Sequence, residues 1–578
     1  MIAVPKPAGW EPLLPAVLVG SCIGCLMGFI DTYGYAVTGY TTSELSPVIA
    51  AVLTLILYKA LFGRRPTPLN HVVAVSIAAG VSLSTAITSG MYVTYTMLGH
   101  VSVPSAINLP KWMFYTGSYS FNSLIFYMYA SAVSASGVVL AYVFYKHFIE
   151  REKLPFPIGM AASSMMKLAT VFKGRKAYIP LLAGMAAQIA VMALNSPSLD
   201  PTPALQSMLP GAAFAISANI FIFLLALLIP LNTSVGVGIG NVLMYLGLTP
   251  VFTSLGLLIS SPSMGADDLA VAAAPLTASV IVGFLIVAVV YYLVTSRRLL
   301  ASTTRFIWAS RYLTRYVIAA VALMATPVVA AWTLGGLPRV FILVSPAYIA
   351  LQFLLVLVTI RVVGEAGTAS QSTLPLATLT LYATGLRGAE PYALLDPYTG
   401  VPMPQFVAGA AMNLIKAGRS VGAYAEVPAS WLGIALLAGA PLTFTYGFCL
   451  LKVFGLSSPK LNLLRWVPVV MWMRGIYSGG ISAFPIQAVV AGAAVATLII
   501  ALLKLTRLTG VSLFAILLGM TLTPDVGILF ILAAVVKYLA LRIGPDVYEA
   551  LVYNASLALA GAGIGVAVSV ALSAAGVM

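Results

Sequence analysis

Apolar runs about as long as a bilayer is thick recur from one end of the chain to the other, separated by short polar connections. A helix rises about 1.5 Å per residue, so roughly 20 apolar residues cross the hydrocarbon core. Runs of that order occupy residues 13–30, 45–62, 72–97, 123–145, 179–194 and 208–231, then 270–294, 316–334, 341–363, 432–454, 483–503 and 550–572. Shorter or interrupted runs lie near 157–168, 235–258, 372–386, 403–417, 466–482 and 510–541. The pattern predicts an all-α, polytopic integral membrane helical bundle of about 14–16 membrane segments, some of them broken or re-entrant. No stretch is long and polar enough to fold apart, so residues 1–578 read as a single transmembrane domain.

One interruption carries more information than the rest. Leu154-Pro-Phe-Pro-Ile-Gly-Met-Ala-Ala-Ser-Ser-Met-Met-Lys167 sets prolines, a glycine, serines and a lysine between long spans. Irregular backbone at membrane depth persists only where protein or a water-filled cavity satisfies its polar groups. Such segments mark translocation paths in transporters.

Composition strengthens the membrane reading. The chain is 61% hydrophobic and 8% charged, with mean hydropathy +1.02, whereas soluble domains hold about 25% charged residues. The net charge of +15 would suggest nucleic acid in a soluble protein, but here the basic residues gather in short connections. Lys59, Arg64 and Arg65 lie at the end of the second run, Lys146, Arg151 and Lys153 follow the fourth, and Arg297, Arg298, Arg305, Arg311 and Arg315 fill a later loop. Lysine and arginine mark cytoplasmic loops, which puts the N-terminus in the cytoplasm and predicts a multi-pass protein of the cell membrane with the lipid bilayer, not nucleic acid, as its surroundings. The first apolar run ends at Asp31 without a small-residue cleavage site, so it reads as a retained helix rather than a signal peptide.

Few groups could do chemistry. Cys22, Cys25 and Cys449 suggest no disulfide framework, and the Cys22-Ile-Gly-Cys25 pair lacks the further ligands of a zinc site. His71, His100 and His147 are not spaced as a metal-binding set; His71 reads as interfacial, and His147 belongs to a basic loop. No nucleophile, histidine and acid arrangement or nucleotide-binding lysine loop is present, so neither an enzyme nor an ATP-driven pump is expected, and no cofactor or metal. Gly20, Gly24 and Gly28 form a GxxxGxxxG face, for close helix packing or for lining a substrate path, and Gly561, Gly563 and Gly565 serve close packing in the last span. Gly236-Val-Gly-Ile-Gly240-Asn241 lacks the βαβ context of a nucleotide loop and reads as an unwound or tightly packed membrane segment.

Acids at membrane depth are costly and tend to face a bundle interior. Asp31, Glu44, Glu365, Glu426 and Asp525 are the ones to weigh. For Asp31 and Glu44, at span ends, interfacial solvation competes with a functional role. Glu365 lies in Arg361-Val-Val-Gly-Glu365-Ala-Gly. On a continuing helix Arg361 and Glu365 would be i,i+4 partners, either a structural ion pair or a proton- or substrate-linked carboxylate. Asp525 follows Pro524 in a broken run and raises a similar question.

The interruptions also suggest an internal duplication, with halves at about 12–295 and 312–575. Met166-Lys167 is followed by Pro180-Leu-Leu-Ala-Gly184, and Ile415-Lys416 by Pro428 and Leu436-Leu-Ala-Gly439. Lys167 and Lys416 would then bracket one central site or snorkel to the cytoplasmic interface.

At these places the chain resembles the oligopeptide transporter family, which includes the yellow stripe-like metal-chelate transporters. Lys153-Leu-Pro-Phe-Pro-Ile-Gly-Met-Ala-Ala looks like the family's Leu-aromatic-Pro-Ser-Gly-x-Ala-x-Ala segment, Arg361 to Gly367 like its Gly-Glu-x-Gly segment, and Ala411-Met-Asn-Leu-Ile-Lys-Ala-Gly418 through Pro428 like its Asp-Leu-Lys-x-Gly stretch before a Ser-Pro. The shared order spans nearly the whole chain. Ile158 replaces the serine, Leu414 the aspartate, and Asn70 and His71 stand where an acid follows Pro66 and Pro68. The resemblance implies a bundle of about 16 spans that moves small peptides or metal complexes with protons by alternating access.

On that footing the expected function is proton-coupled transport of small oligopeptides or peptide-like compounds, with carriage of metal chelates as the alternative and a passive pore as the alternative from another class. Glu365 is the first coupling candidate, with Asn413 and Lys416 at the cytoplasmic end of the site. Lys167, Asp31 and Asp525 are further candidates. Pro155, Pro157, Gly159, Gly364 and Gly367 would shape the broken helices. A homo-oligomer is compatible with the chain.

Overall fold

The computed structural model describes residues 13–38, 46–101, 109–171, 178–194, 198–334, 337–368, 372–456, 467–479, 484–506 and 510–574. Helices α1 (Leu14–Thr38), α2 (Ser46–Phe62), α3 (Pro68–Thr85) and α4 (Met91–Val101) come first, a widened π turn over Ala86–Gly90 joining the last two. Then come α5 (Phe121–Ser134), α6 (Ser136–Tyr145), a π turn over Lys146–Arg151, α7 (Pro157–Val171) and α8 (Tyr178–Ala193). A small element holds α9 (Thr202–Met208) between two-residue strands β1 (Ser198–Leu199) and β2 (Ile216–Ser217), paired antiparallel. It leads into α10 (Ile220–Leu228), α11 (Leu231–Val242), α12 (Thr249–Ser254), α13 (Ala266–Thr295) and α14 (Arg297–Ala309). The rest of the chain forms α15 (Arg311–Thr333), α16 (Arg339–Ala366), α17 (Pro375–Ala383), α18 (Ala389–Leu395), α19 (Pro404–Ser420) and α20 (Glu426–Phe454). Last come α21 (Val467–Ser478), α22 (Ile486–Thr506), α23 (Leu513–Thr521), α24 (Pro524–Ile543) and α25 (Pro545–Ala574).

Among the described residues, eleven helical stretches are long and apolar enough to cross a membrane, and α2 and α8 are shorter apolar helices. The chain is an all-α, multi-pass membrane protein, as its hydrophobic pattern predicts. Burial separates the interior from the lipid face. In the most apolar 18 residues of Pro68–His100 94% are buried, whereas in those of Ile486–Thr506 17% are, with Leu498 and Leu502 turned outwards. An apolar exterior gives helices no hydrophobic reason to associate, so close backbone approach has to supply the contact.

Glycine supplies it. A Cβ on Gly20 would lie 2.7 Å from the Ala74 carbonyl oxygen and one on Gly24 would strike Val81, so the glycine face of α1 seats on α3. Gly561 and Gly565 likewise let α25 lie against the backbone of α8, while Gly563 meets Ile49 of α2. The segment ending at Asn241 is helical and tightly packed rather than unwound. Gly240 sits against the Ile516 carbonyl, and the Asn241 Nδ2 donates to the carbonyls of Gly519, Leu522 and Thr523 at 3.3, 3.0 and 3.2 Å, closing the end of α23. Asn241→Ala leaves those carbonyls without that donor and is expected to cost about 1–3 kcal/mol. A lower thermal unfolding midpoint in detergent, with unchanged helix content at room temperature, is the corresponding observation.

Candidate functional site

The three segments that carry the sequence resemblance meet at one junction. The chain leaves the π turn after α6 through Lys153 and Phe156, both with positive φ (54° and 48°), a region L-residues enter at a cost of about 1–3 kcal/mol each. Pro157 opens α7, where its missing N–H is no loss. The Phe156 N–H donates to the Gly364 carbonyl of α16 at 2.8 Å, and the Gly159 N–H to Asn413 Oδ1 of α19 at 3.2 Å. Asn413 Nδ2 in turn donates to the Gly367 carbonyl at 3.2 Å. Gly367, at φ 85°, ends α16 with the backbone turned left-handed, which favours glycine.

The glycines here differ in what they do. The break falls on residues 153–156, with Pro155 partly exposed, while Gly159 and Gly364 sit inside helices. Both are contact points. A Cβ on Gly159 would lie 2.4 Å from the Asn413 carbonyl oxygen, and one on Gly364 would lie 2.6 Å from Leu154.

A charge network stands beside this junction. Arg361 binds Glu365 one turn along α16 at 3.1 Å, the i,i+4 pair expected from the sequence, and also binds Glu152 from the other side. Ser512, the N-cap of α23, donates to Glu365. Glu152 also accepts from the Tyr292 hydroxyl at 2.9 Å and lies 3.1 Å from His147 Nε2. The Arg361 guanidinium stacks 4.5 Å from the centre of the Tyr292 ring. Burial raises the Glu152 carboxyl, but the His147 contact, the Arg361 charge and the Tyr292 hydroxyl outweigh it and hold the carboxyl below its ordinary range. Four elements, the π turn, α13, α16 and α23, thus converge on two carboxylates and one guanidinium.

The other candidates fall elsewhere. Lys416 is half-buried on α19, one turn past Asn413. Lys167 is exposed near the far end of α7, about 12 Å along the helix from Gly159. Asp525 lies in the first turn of α24, separated from Ser512 by the whole of α23, about 14 Å. Glu426, in the first turn of α20, accepts from the Tyr142 hydroxyl at 2.8 Å. Glu44 lies outside the described residues.

Burial corrects the surface readings of His71 and His147 and decides between the two left open for Asp31. Asp31 is 2% exposed and accepts from Ser82, so it is interior rather than interfacial. His71 is buried, its Nε2 2.8 Å from the Ala51 carbonyl, tying α3 to α2. His147 is buried too, its Nδ1 2.8 Å from Thr303 of α14. In each case the chain brings a second helix over a position that lies near a span end or a basic loop in sequence.

Sequence reasoning passed over Glu152, Tyr292, Ser512, Asp396 and Lys537. Asp396 is fully buried and gathers the Thr378 and Thr399 hydroxyls at 2.9 and 2.6 Å, shaping the turn before α19. Lys537 is buried in α24 and donates to the carbonyls of Ala226 and Ile229 at 2.8 and 2.7 Å and to Ser234, where Pro230 separates α10 from α11. A lysine deep in the apolar run of α24 was a legible signal. Glu152, flanked by Arg151 and Lys153, carried none.

Among the described residues no three His, Cys, Asp or Glu side chains are placed to hold a metal ion. In sequence comparisons neither a family model nor a curated protein matches this chain.

Proposed function

We propose that this protein is a proton-coupled secondary transporter that moves small oligopeptides or peptide-like compounds by alternating access. The observation that carries the reading is the buried network of two carboxylates around one guanidinium, set where a broken segment crosses α16 and α19. Two carboxylates against one arginine leave room for one more positive charge, and a proton on Glu365 supplies it. Ionisable groups of this kind inside membranes serve proton relays. A protonation change would alter the Arg361 and Ser512 contacts of Glu365, and through α16 the contacts that hold Phe156 and Asn413. The resemblance to the oligopeptide transporter family supports the peptide substrate class and the use of protons.

Uptake into proteoliposomes under an inward proton gradient tests the reading, with short peptides and iron or zinc chelates offered side by side and internal pH recorded. Peptide-dependent acidification with accumulation is expected. Acidification with chelates alone would move the substrate to metal complexes, and unsaturable flux without counterflow would make the protein a pore. Glu365→Gln is expected to bring proton-driven accumulation to background while the elution profile in detergent stays unchanged, because Arg361 keeps Glu152 as its partner.

A further inference from the structure

The connection between the α13 and α15 spans is itself a helix, and its two faces are unlike. α14 has 13 residues, about 20 Å of helix, too short to cross the hydrocarbon core. It carries Arg297, Arg298 and Arg305, so it rests at the membrane surface where α13 ends and α15 begins. Ser310, in extended backbone, turns the chain out of α14 and caps α15 by accepting from the Leu313 N–H at 3.4 Å. Thr303 and Ile307, one turn apart, form the buried face of α14. The Thr303 hydroxyl meets His147 Nδ1 and Arg151, each at 2.8 Å, which pins α14 to the π turn after α6.

The opposite face is basic and open. Arg298, Ser302 and Arg305 are exposed at i, i+4 and i+7, a spacing that sets them on one side of the helix. Arg151 also donates to Ser302 at 3.1 Å, and Lys146 and Arg151 lie 5.4 and 5.8 Å from the centre of the Phe306 ring. Cations from two connections thus gather around Ser302 and Phe306. Among the described residues none of Lys146, Arg151, Arg298 and Arg305 has a carboxylate at ion-pair distance, since neighbouring Glu150 faces Arg419 at 3.7 Å and Glu152 is taken by Arg361. Like charges this close repel, and a shared anion relieves them. Phe306 and Trp308 are 41% and 64% exposed. Two residues apart, they stand on opposite flanks of the basic face, and exposed aromatics at a membrane surface sit at headgroup level.

We propose that α14 and the π turn after α6 form a binding site for the headgroup phosphate of an anionic phospholipid. Lys146, Arg151, Arg298 and Arg305 take the phosphate, and Trp308 lies at the boundary of headgroup and acyl chain. The guanidinium fork matches phosphate oxygens in pairs, and basic interfacial helices with an exposed aromatic bind anionic lipid by this combination of charge and apolar contact. Position favours a lipid over a soluble acidic partner. α14 is tied at both ends to membrane spans, so lipid headgroups stand beside it at a local concentration that no soluble anion matches. The site depends on neither the substrate nor the coupling ion of the transport reading.

Tryptophan fluorescence of the full-length chain in mixed phosphatidylcholine and phosphatidylglycerol vesicles tests the site, with the acyl chains of one lipid or the other brominated as quencher. Subtracting the signal of Trp308→Phe isolates Trp308. Brominated phosphatidylglycerol is expected to quench Trp308 with a preference of about tenfold or more over brominated phosphatidylcholine, as several cations near the surface each contribute about fivefold. Arg298→Gln and Arg305→Gln should each lower that preference about fivefold, and both arginines are exposed, so the variants keep the fold. Arg339→Gln, where α16 starts at the far end of the α15 span, should leave it unchanged. Equal quenching by the two lipids in the parent chain overturns the proposal, as does a preference that survives the double variant Arg298→Gln, Arg305→Gln. No quenching of Trp308 by either lipid would set α14 off the bilayer and overturn it too, and an equal loss in Arg339→Gln would reduce the preference to the net charge of the chain.

Discussion

Arg361→Met is expected to destabilise the folded chain by about 3–5 kcal/mol, because it strips the shared counter-charge from two buried carboxylates. Arg361 touches both Glu152 and Glu365, and its guanidinium also covers the Tyr292 and Phe514 rings. Without it Glu365 keeps one hydroxyl from Ser512, and Glu152 keeps Tyr292 and His147. Neither set replaces a full positive charge. The measurement is the thermal unfolding midpoint in detergent, beside the double variant Arg361→Met, Glu365→Gln. Removing the charge of one stranded carboxylate should recover part of the loss, the coupling expected of residues in contact. If the double variant is as unstable as the sum of the single ones, the three groups do not act as one network.

Gly159→Leu is the second large effect. The Cβ alone would stand 2.4 Å from the Asn413 backbone oxygen, closer than real Cβ atoms come, and backbone on α19 cannot swing aside as a side chain would. The leucine forces α7 away from α19, breaking the Gly159 bond to Asn413 and loosening the one from Asn413 to Gly367. Overpacking of this kind costs about 1–3 kcal/mol or more. Loss of substrate uptake is expected even in protein that remains folded, because all three junction segments hang on Asn413. Normal flux in folded Gly159→Leu would reduce the junction to a structural bend. Gly159→Ala adds only the Cβ and should fall between the parent and the leucine variant.

Much of this architecture was legible beforehand, for identifiable reasons. Bilayer thickness sets helix length, so the spans announce themselves as apolar runs. Glycine at every fourth position of α1 predicts a close neighbour because nothing else lets backbones approach so closely, and α3 is that neighbour. The pair of Arg361 and Glu365 followed from helical periodicity once α16 continued through both. Contacts over long sequence separation were not legible. Ser512 reaches Glu365 across 147 positions and Tyr292 reaches Glu152 across 140, with no local pattern to mark either.

The histidines and Asp31 show the same division in a sharper form. A position near a span end looks interfacial from the run of residues around it, yet whether water reaches it depends on which helix lies across it. Thr303 on α14 closes over His147, Ala51 of α2 receives His71, and Ser82 of α3 receives Asp31. Hydropathy and periodicity are properties of neighbouring residues, so the sequence by itself determined that this is an all-α multi-pass membrane protein and which glycine faces pack. Burial and charge pairing are properties of distant residues brought together. Only the tertiary structure therefore decided that the 153–156 break, α16 and α19 form one junction, that Glu152 shares Arg361 with Glu365, and that Asp31 is buried against Ser82 of α3.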